Sequence, residues 1–294
     1  MSAPHVLAFD DEAPLATALA AALGGGVDTI ARHRFPDGET RLRLPAALPA
    51  NVVLLRGLQD PNAKLTELLL AAGGARELGA QRLVLVSPYL AYMRQDMAFT
   101  PGEVVSQRVL GGLLAGAFDA VITVDPHLHR VRTLDEVLPG RRGIALSAAP
   151  LLGAWVAARV PGALLLAPDE EAGQWVRAAA RAQGLDFAVC HKSRHGDRDV
   201  DVALPTTEVR GRAVVLLDDV ASTGRTLAAA ARGALAQGAA SVDVAVTHAL
   251  FIGDALATVK AAGVRQVWSS DCVAHASNAV SVVPLLAGAI DALA

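Results

Sequence analysis

Short runs of Val, Leu and Ile that are apolar at every position alternate along the whole chain with Ala/Leu-rich runs of helical length. Such strands cannot show one face to water, so they belong to parallel sheets covered on both sides by helices. The pattern reads as strands His5–Phe9, Asn51–Leu55, Arg82–Ser87 and Ala120–Val124, separated by helices Glu12–Leu23, Asn62–Leu78 and Glu103–Ala115. It resumes with helix Ala149–Arg159, strand Ala163–Leu166, helix Glu170–Gln183 and strands Phe187–His191 and Ala213–Leu217. Helix Thr223–Gln237, strand Ser241–Thr247, helix Asp254–Ala261, strand Gln266–Trp268 and helix Ser281–Leu293 complete it. Pro, Gly and Arg cluster at Pro139–Gly143, which places the join between two α/β halves there. The expected fold class is α/β, with two similar domains of mainly parallel sheet flanked by helices. The expected domains are 1–141 and 142–294, with the last helix free to pack on the N-terminal one. Ser193–Asp201 is polar between two strands and reads as a loop or a hairpin.

Composition narrows the partners. The 294 residues are 53% hydrophobic and 19% charged, enough apolar material for two cores. A net charge of −3 gives no electrostatic case for nucleic acid. Arg159, Pro161 or Gly and Asp residues interrupt the longest apolar stretches, so no membrane span is expected. Two cysteines, Cys190 and Cys272, are too few for a disulfide framework, and the acidic start at Asp10–Glu12 is unlike a signal peptide. A cytoplasmic protein with reduced thiols is the expectation.

The most specific segment is Val214–Leu227, VVLLDDVASTGRTL. An apolar strand runs into paired carboxylates, Asp218 and Asp219, then into a small hydroxyl-rich turn from Ala221 to Thr226, then into a helix. Unpaired N–H groups at a helix start favour a phosphate. Ser222, Thr223 and Thr226 add hydroxyl donors, Gly224 permits close backbone approach, and the carboxylates can accept bonds from sugar hydroxyls. The plainer alternative is a strand–turn–helix with Ser222 or Thr223 as N-cap. The thirteen-residue run from Val214 to Thr226 closely resembles the phosphoribosyl-pyrophosphate motif of phosphoribosyltransferases and ribose-phosphate diphosphokinases.

No G-x-x-x-x-G-K-[ST] is present, so a P-loop is excluded. Instead Arg94-Gln95-Asp96 follows a strand end; Arg suits phosphate oxygens and Gln an amide-like ring edge. Alone, that triplet reads more readily as a solvated surface turn. Together with Phe35-Pro36-Asp37-Gly38-Glu39, Val124-Asp125-Pro126-His127, Ala167-Pro168-Asp169 and His191-Lys192-Ser193-Arg194, it resembles the ribose-phosphate diphosphokinase (phosphoribosyl pyrophosphate synthetase) family in order and spacing, closer to its archaeal-type branch.

The resemblance implies an enzyme that moves a diphosphoryl group from ATP to the anomeric hydroxyl of ribose 5-phosphate. It implies that Asp218, Asp219, Ser222, Thr223, Gly224, Arg225 and Thr226 hold the sugar phosphate. Phe35, Asp37 and Glu39 would meet the adenine from a neighbouring subunit, which makes a homo-oligomer the expectation. Arg94, Gln95 and Asp96 would hold the nucleotide, His127 and Asp169 would take Mg²⁺, and Lys192 and Arg194 would act in the transfer. Read without the family, Phe35 is a core aromatic and Asp37-Gly38 a hairpin turn. His129 and His33 read as structural or surface residues. Four departures from the family pattern stand out: Ser222 where Asp is frequent, Arg225 for Gly, Met97 for Lys or Arg, and Glu170-Glu171 for small residues. The alternatives are an inactive regulatory homologue of the same fold and a phosphoribosyltransferase.

Overall fold

The structure, a computed structural model, describes residues 3–194, 200–203 and 209–293, the stretches 191–194 and 200–203 as backbone alone. The chain divides into two compact units, Met1–Leu146 with Val282–Ala294, and Ser147–Ser281.

In the first unit the strands are β1 (His5–Phe9), β2 (Val27–Arg34), β3 (Thr40–Arg43), β4 (Asn51–Leu55), β5 (Arg82–Ser87), β6 (Ala120–Val124) and β7 (Arg142–Leu146). They form one sheet in the order β3-β2-β1-β4-β5-β6-β7. Every pairing is parallel except the β2–β3 hairpin. The helices are α1 (Ala13–Leu23), α2 (Pro61–Glu77) and α3 (Ser106–Ala117). β1, β4, β5 and β6 are buried almost throughout, as their unbroken apolar runs require. β2 escapes a sequence reading because only Ile30 of its eight residues is buried. Its side chains line an edge ribbon and carry no apolar run.

The chain leaves β1 toward β2 on one side and later returns to β4 on the other. This reversal is where open α/β sheets usually leave a crevice. Here a buried ion network occupies it. Arg56, just past β4, is fully buried; its guanidinium donates to Asp11 Oδ1 at 2.7 Å and to Glu67, and lies 4.2 Å from the Phe9 ring centre. Glu12 accepts the Gly57 N–H, and Arg32 bridges Glu67 at 3.1 Å and Asp10 at 2.9 Å. Burial, the largest influence, pushes Glu12 up to about 7 against the pull of Arg56, the Gly57 N–H and Lys64.

The second unit holds β8 (Leu164–Ala167), β9 (Asp186–Val189), β12 (Ala213–Ala221), β13 (Ser241–Ala249), β14 (Val264–Ser270) and β15 (Asn278–Val280), in the order β15-β14-β13-β12-β8-β9 and parallel throughout. β10 (His191–Arg194) and β11 (Val200–Ala203) form a separate antiparallel hairpin. The helices are α4 (Ala149–Arg159), α5 (Gly173–Gln183), α6 (Arg225–Ala236) and α7 (Ala255–Ala261). A last helix, α8 (Val283–Asp291), belongs to the first unit, where it lies along α1 and where Arg82 donates to the Leu293 carbonyl.

The sequence reading starts the second domain at residue 142. In the structure Arg142–Leu146 is β7, paired with β6, and the first unit runs to Leu146. The Pro/Gly cluster at 139–143 is the turn into an edge strand; its composition is the same as a linker's. Cys190 and Cys272 are buried and not joined in a disulfide. No helix of the described residues is long and apolar enough to cross a membrane.

Candidate active site

The carboxylate pair sits inside a strand. β12 continues through Asp218 and Asp219 to Ala221, with Asp218 opposite Val246 and Val220 opposite His248 on β13. Asp219 is buried and Asp218 half-buried, and the Asp219 N–H donates to Asp218 Oδ1 at 2.9 Å. Asp169 stands just past β8, the strand beside β12. Burial first, and then the charges of Asp219 and Asp169, hold the Asp218 carboxyl well above the usual carboxylate range. Three carboxylates gathered at the carboxyl edge of two neighbouring strands favour a proton, a hydroxyl donor or a cation among them. Asp218→Asn is therefore expected to raise the Tm of the ligand-free protein at neutral pH. Differential scanning fluorimetry reads the shift, and an unchanged or lower Tm would contradict this account.

The turn after β12 is held from outside itself. Leu250 and Phe251 N–H groups donate to the Ala221 carbonyl at 3.0 and 2.8 Å, and the Ile252 N–H to the Ser222 carbonyl at 3.0 Å. Phe251 takes φ 36°, a left-handed conformation unusual for its type, and its ring packs against His275 with centroids 5.2 Å apart. α6 starts at Arg225. Its N-cap is Gly224 at φ 70°, with no side-chain cap. Ser222 and Thr223 are thus not N-caps, and their hydroxyls are not spent on the helix start. Gly224 is required twice over. A Cβ there would lie 2.8 Å from Val259 Cγ2 and 2.9 Å from the Ala255 carbonyl oxygen, and the backbone is left-handed. Arg225 and Thr223 are exposed, and Ser222 and Thr226 are half-buried.

On the first unit, Phe35 is exposed at the tip of the β2–β3 hairpin, not in the core. Its N–H donates to the Glu39 carbonyl at 2.8 Å, Gly38 turns the chain at φ 98°, and Asp37 Oδ1 accepts the Glu39 N–H at 3.1 Å. Asp37 thus serves the turn. Arg94, Gln95 and Asp96 lie in the long connection after β5. Arg94 is exposed. Gln95 donates to the Met97 carbonyl at 3.0 Å, so its amide is engaged within its own loop. Asp96 is buried and accepts from Arg130 at 2.5 Å; the Arg130 guanidinium also lies 5.8 Å from the Phe99 ring centre. Arg130 thereby ties this connection to the one after β6, which carries His127. Sequence gave no sign of Arg130 or Phe251, because each acts on a partner about thirty residues away. Arg130→Ala should loosen that tie and speed amide hydrogen exchange in the connection after β5, with Arg130→Lys recovering part of the protection. Unchanged exchange in both variants would contradict it.

Phe35 and Arg94 lie on the connections that follow β2 and β5; β1 and β4 stand between those strands, three strand spacings, roughly 14 Å, across the sheet. Lys192 and Arg194 fall on β10, but their side chains lie outside the described residues. His127 follows β6; its Nε2 lies 2.5 Å from His129 Nε2. Asp169 is half-buried, its Oδ1 accepting the Ala172 N–H at 3.2 Å. A carboxylate such as that of Asp169 suits a hard divalent cation, and the imidazole of His127 is a less natural ligand for one.

Two family models match the chain: the N-terminal domain of ribose phosphate pyrophosphokinase over residues 5–117, and the phosphoribosyl transferase domain over residues 162–264. Among curated proteins, the ribose-phosphate pyrophosphokinase of Methanopyrus kandleri is 35% identical over 98% of this chain and 99% of its own. The chain belongs to the ribose-phosphate pyrophosphokinase family. The ribose-phosphate pyrophosphokinase of Halobacterium salinarum, another member, is 32% identical over 94% of this chain and 96% of its own. The two-unit architecture is also that of the phosphoribosylpyrophosphate synthetase of Mycobacterium smegmatis, with a TM-score of 0.83 over 99% of both chains at 23% identity, a likeness of fold. Membership of the ribose-phosphate pyrophosphokinase family accounts for both halves at once. A phosphoribosyltransferase domain alone leaves the first unit unexplained.

Proposed function

We propose that the chain transfers the diphosphoryl group of ATP to the anomeric hydroxyl of ribose 5-phosphate, releasing AMP and phosphoribosyl pyrophosphate. The observation that carries this reading is the turn after β12. Its helix start lacks a side-chain cap, it follows two carboxylates carried inside β12, and it stands in a chain similar end to end to archaeal ribose-phosphate pyrophosphokinases. The sugar phosphate lies against the N–H groups of Thr223–Thr226, with Ser222, Thr223 and Thr226 hydroxyls as donors and Arg225 as a countercharge. Asp218 and Asp219 accept from the ribose hydroxyls and orient the anomeric oxygen. Arg94, Gln95 and Asp96 serve the nucleotide; Arg94 meets it directly, and Asp96, bonded to Arg130, holds the loop in place. The separation of β2 from β5 supports a homo-oligomer, in which Phe35, Asp37 and Glu39 of a neighbouring copy close the adenine site.

Attack by the anomeric oxygen on the β-phosphorus forms one P–O bond and breaks the bond to the α-phosphate oxygen, so AMP carries the electron pair away. Transfers of this kind depend on positioning and charge neutralisation. Lys192 and Arg194 supply positive charge to the transferred group. Asp169, and on the first unit His127, are the residues that would bind Mg²⁺, an ion that would withdraw charge from phosphate oxygens. The carboxylates of Asp169, Asp218 and Asp219 fit such a cation, since its charge offsets their mutual repulsion.

The deciding experiment follows AMP release from ATP and Mg²⁺ with and without ribose 5-phosphate. Sugar-dependent AMP formation is the expected result. Pyrophosphate release from the activated sugar that needs a nucleobase, with no AMP from ATP, would reassign the chain as a phosphoribosyltransferase. No turnover in either direction would make it a regulatory homologue.

A further inference from the structure

His127 and His129 stand two residues apart after β6, yet their rings meet. Successive even-spaced side chains converge only if the backbone leaves the regular strand path and turns. The chain does so here: Asp125 takes φ 38°, and the Leu128 N–H closes a tight turn on the Pro126 carbonyl at 2.7 Å. The two Nε2 atoms are brought to 2.5 Å, with ring planes at 89° and centroids 4.1 Å apart. The two ring nitrogens face one another from one tight turn, and a small opening of the pair lets both reach a single metal ion. Arg130, the next residue, directs its charge to Asp96 at 2.5 Å, and so its positive charge is partly offset there. His129 is exposed, so this pairing is not imposed by core packing.

We infer that His129 is a second imidazole ligand beside His127, and that the pair makes the first unit a chelate for a borderline transition-metal ion. Two nitrogens from one tight turn form a donor set suited to Ni²⁺, Cu²⁺, Co²⁺ or Zn²⁺, and poorly suited to Mg²⁺, which demands oxygens. This deepens the metal assignment for His127 under the proposed function. It concerns which ion the position prefers, and it holds without ATP or sugar.

The test uses the full chain, stripped of metal and free of nucleotide. Titration calorimetry with Ni²⁺ in millimolar Mg²⁺ should show one ion bound per subunit. His129→Gln should weaken that binding about tenfold or more, on the scale seen when metal-site partners are removed. With Cu²⁺, electron paramagnetic resonance of the parent should show coupling to two nitrogens, falling to one in His129→Gln. Circular dichroism verifies that the exposed substitution leaves the fold intact. Equal Ni²⁺ affinity in parent and variant, or a single nitrogen coupling in the parent, would overturn the inference. Either result would leave the AMP-release assay untouched, so failure here and failure of the proposed activity are told apart.

Discussion

Gly224→Ala is expected to lower kcat/KM for ribose 5-phosphate by about 100-fold or more, with little change in the far-ultraviolet circular dichroism. The added methyl meets Val259 Cγ2 at 2.8 Å and the Ala255 carbonyl at 2.9 Å. The carbonyl belongs to the backbone of α7 and cannot swing aside. The φ of 70° adds strain for any residue with a Cβ. Relief must come from the turn itself, which would move the helix-start N–H groups away from the phosphate. Displacements of about 1 Å at such positions can cost ~100-fold in rate. The loss should appear mainly in affinity for the sugar phosphate, with the affinity for ATP nearly kept. Parent-like binding of ribose 5-phosphate by the variant would show that this turn is not the phosphate site.

Glu12→Gln should stabilise the protein above pH 7 by on the order of 3 kcal/mol and leave it unchanged below pH 4.5. Burial raises the Glu12 carboxyl from 4.5 to about 7. Between those values the folded protein holds a proton that the unfolded chain has released. Stability therefore falls as pH rises through the interval, and the full cost, on the order of 3 kcal/mol, is present above it. Gln keeps an oxygen for the Gly57 N–H and removes the charge. Arg56 retains Asp11 at 2.7 Å and Glu67 as acceptors. Urea unfolding from pH 4 to 8.5 reads the difference directly, and parallel stability curves for parent and variant would refute the assignment.

Most of what places the site could be read from the chain. The strands β1, β4, β5 and β6 are apolar on both faces, so they announce themselves in the sequence. The turn from Ala221 to Thr226 was visible because strand, small residues and helix follow in one unbroken run. The sequence pattern starts the helix two residues early, at Thr223, because Ser and Thr ordinarily cap helices; in the structure Gly224 takes that place. β2 was missed because its exposed edge position removes the apolar pattern. Phe35 could be read either as core or as site, and its exposure at the hairpin tip removes the first option. Contacts between segments far apart in sequence left no trace: Arg56 with Asp11 and Glu67, Arg130 with Asp96, Phe251 with Ala221. Each depends on which strands become neighbours, and pairing order is not written in local periodicity.

The first unit is discontinuous in the chain. Its sheet is complete at Leu146, but α8, which buries Val283, Leu286 and Ile290, arrives only after all of Ser147–Ser281. A nascent chain must therefore carry an apolar α1 surface uncovered while the ribosome makes the whole second unit. That interval is when chaperone capture or misassembly with another emerging copy is most probable. Truncation just before Val282 would spare every residue assigned to the site and still leave the first unit prone to aggregation.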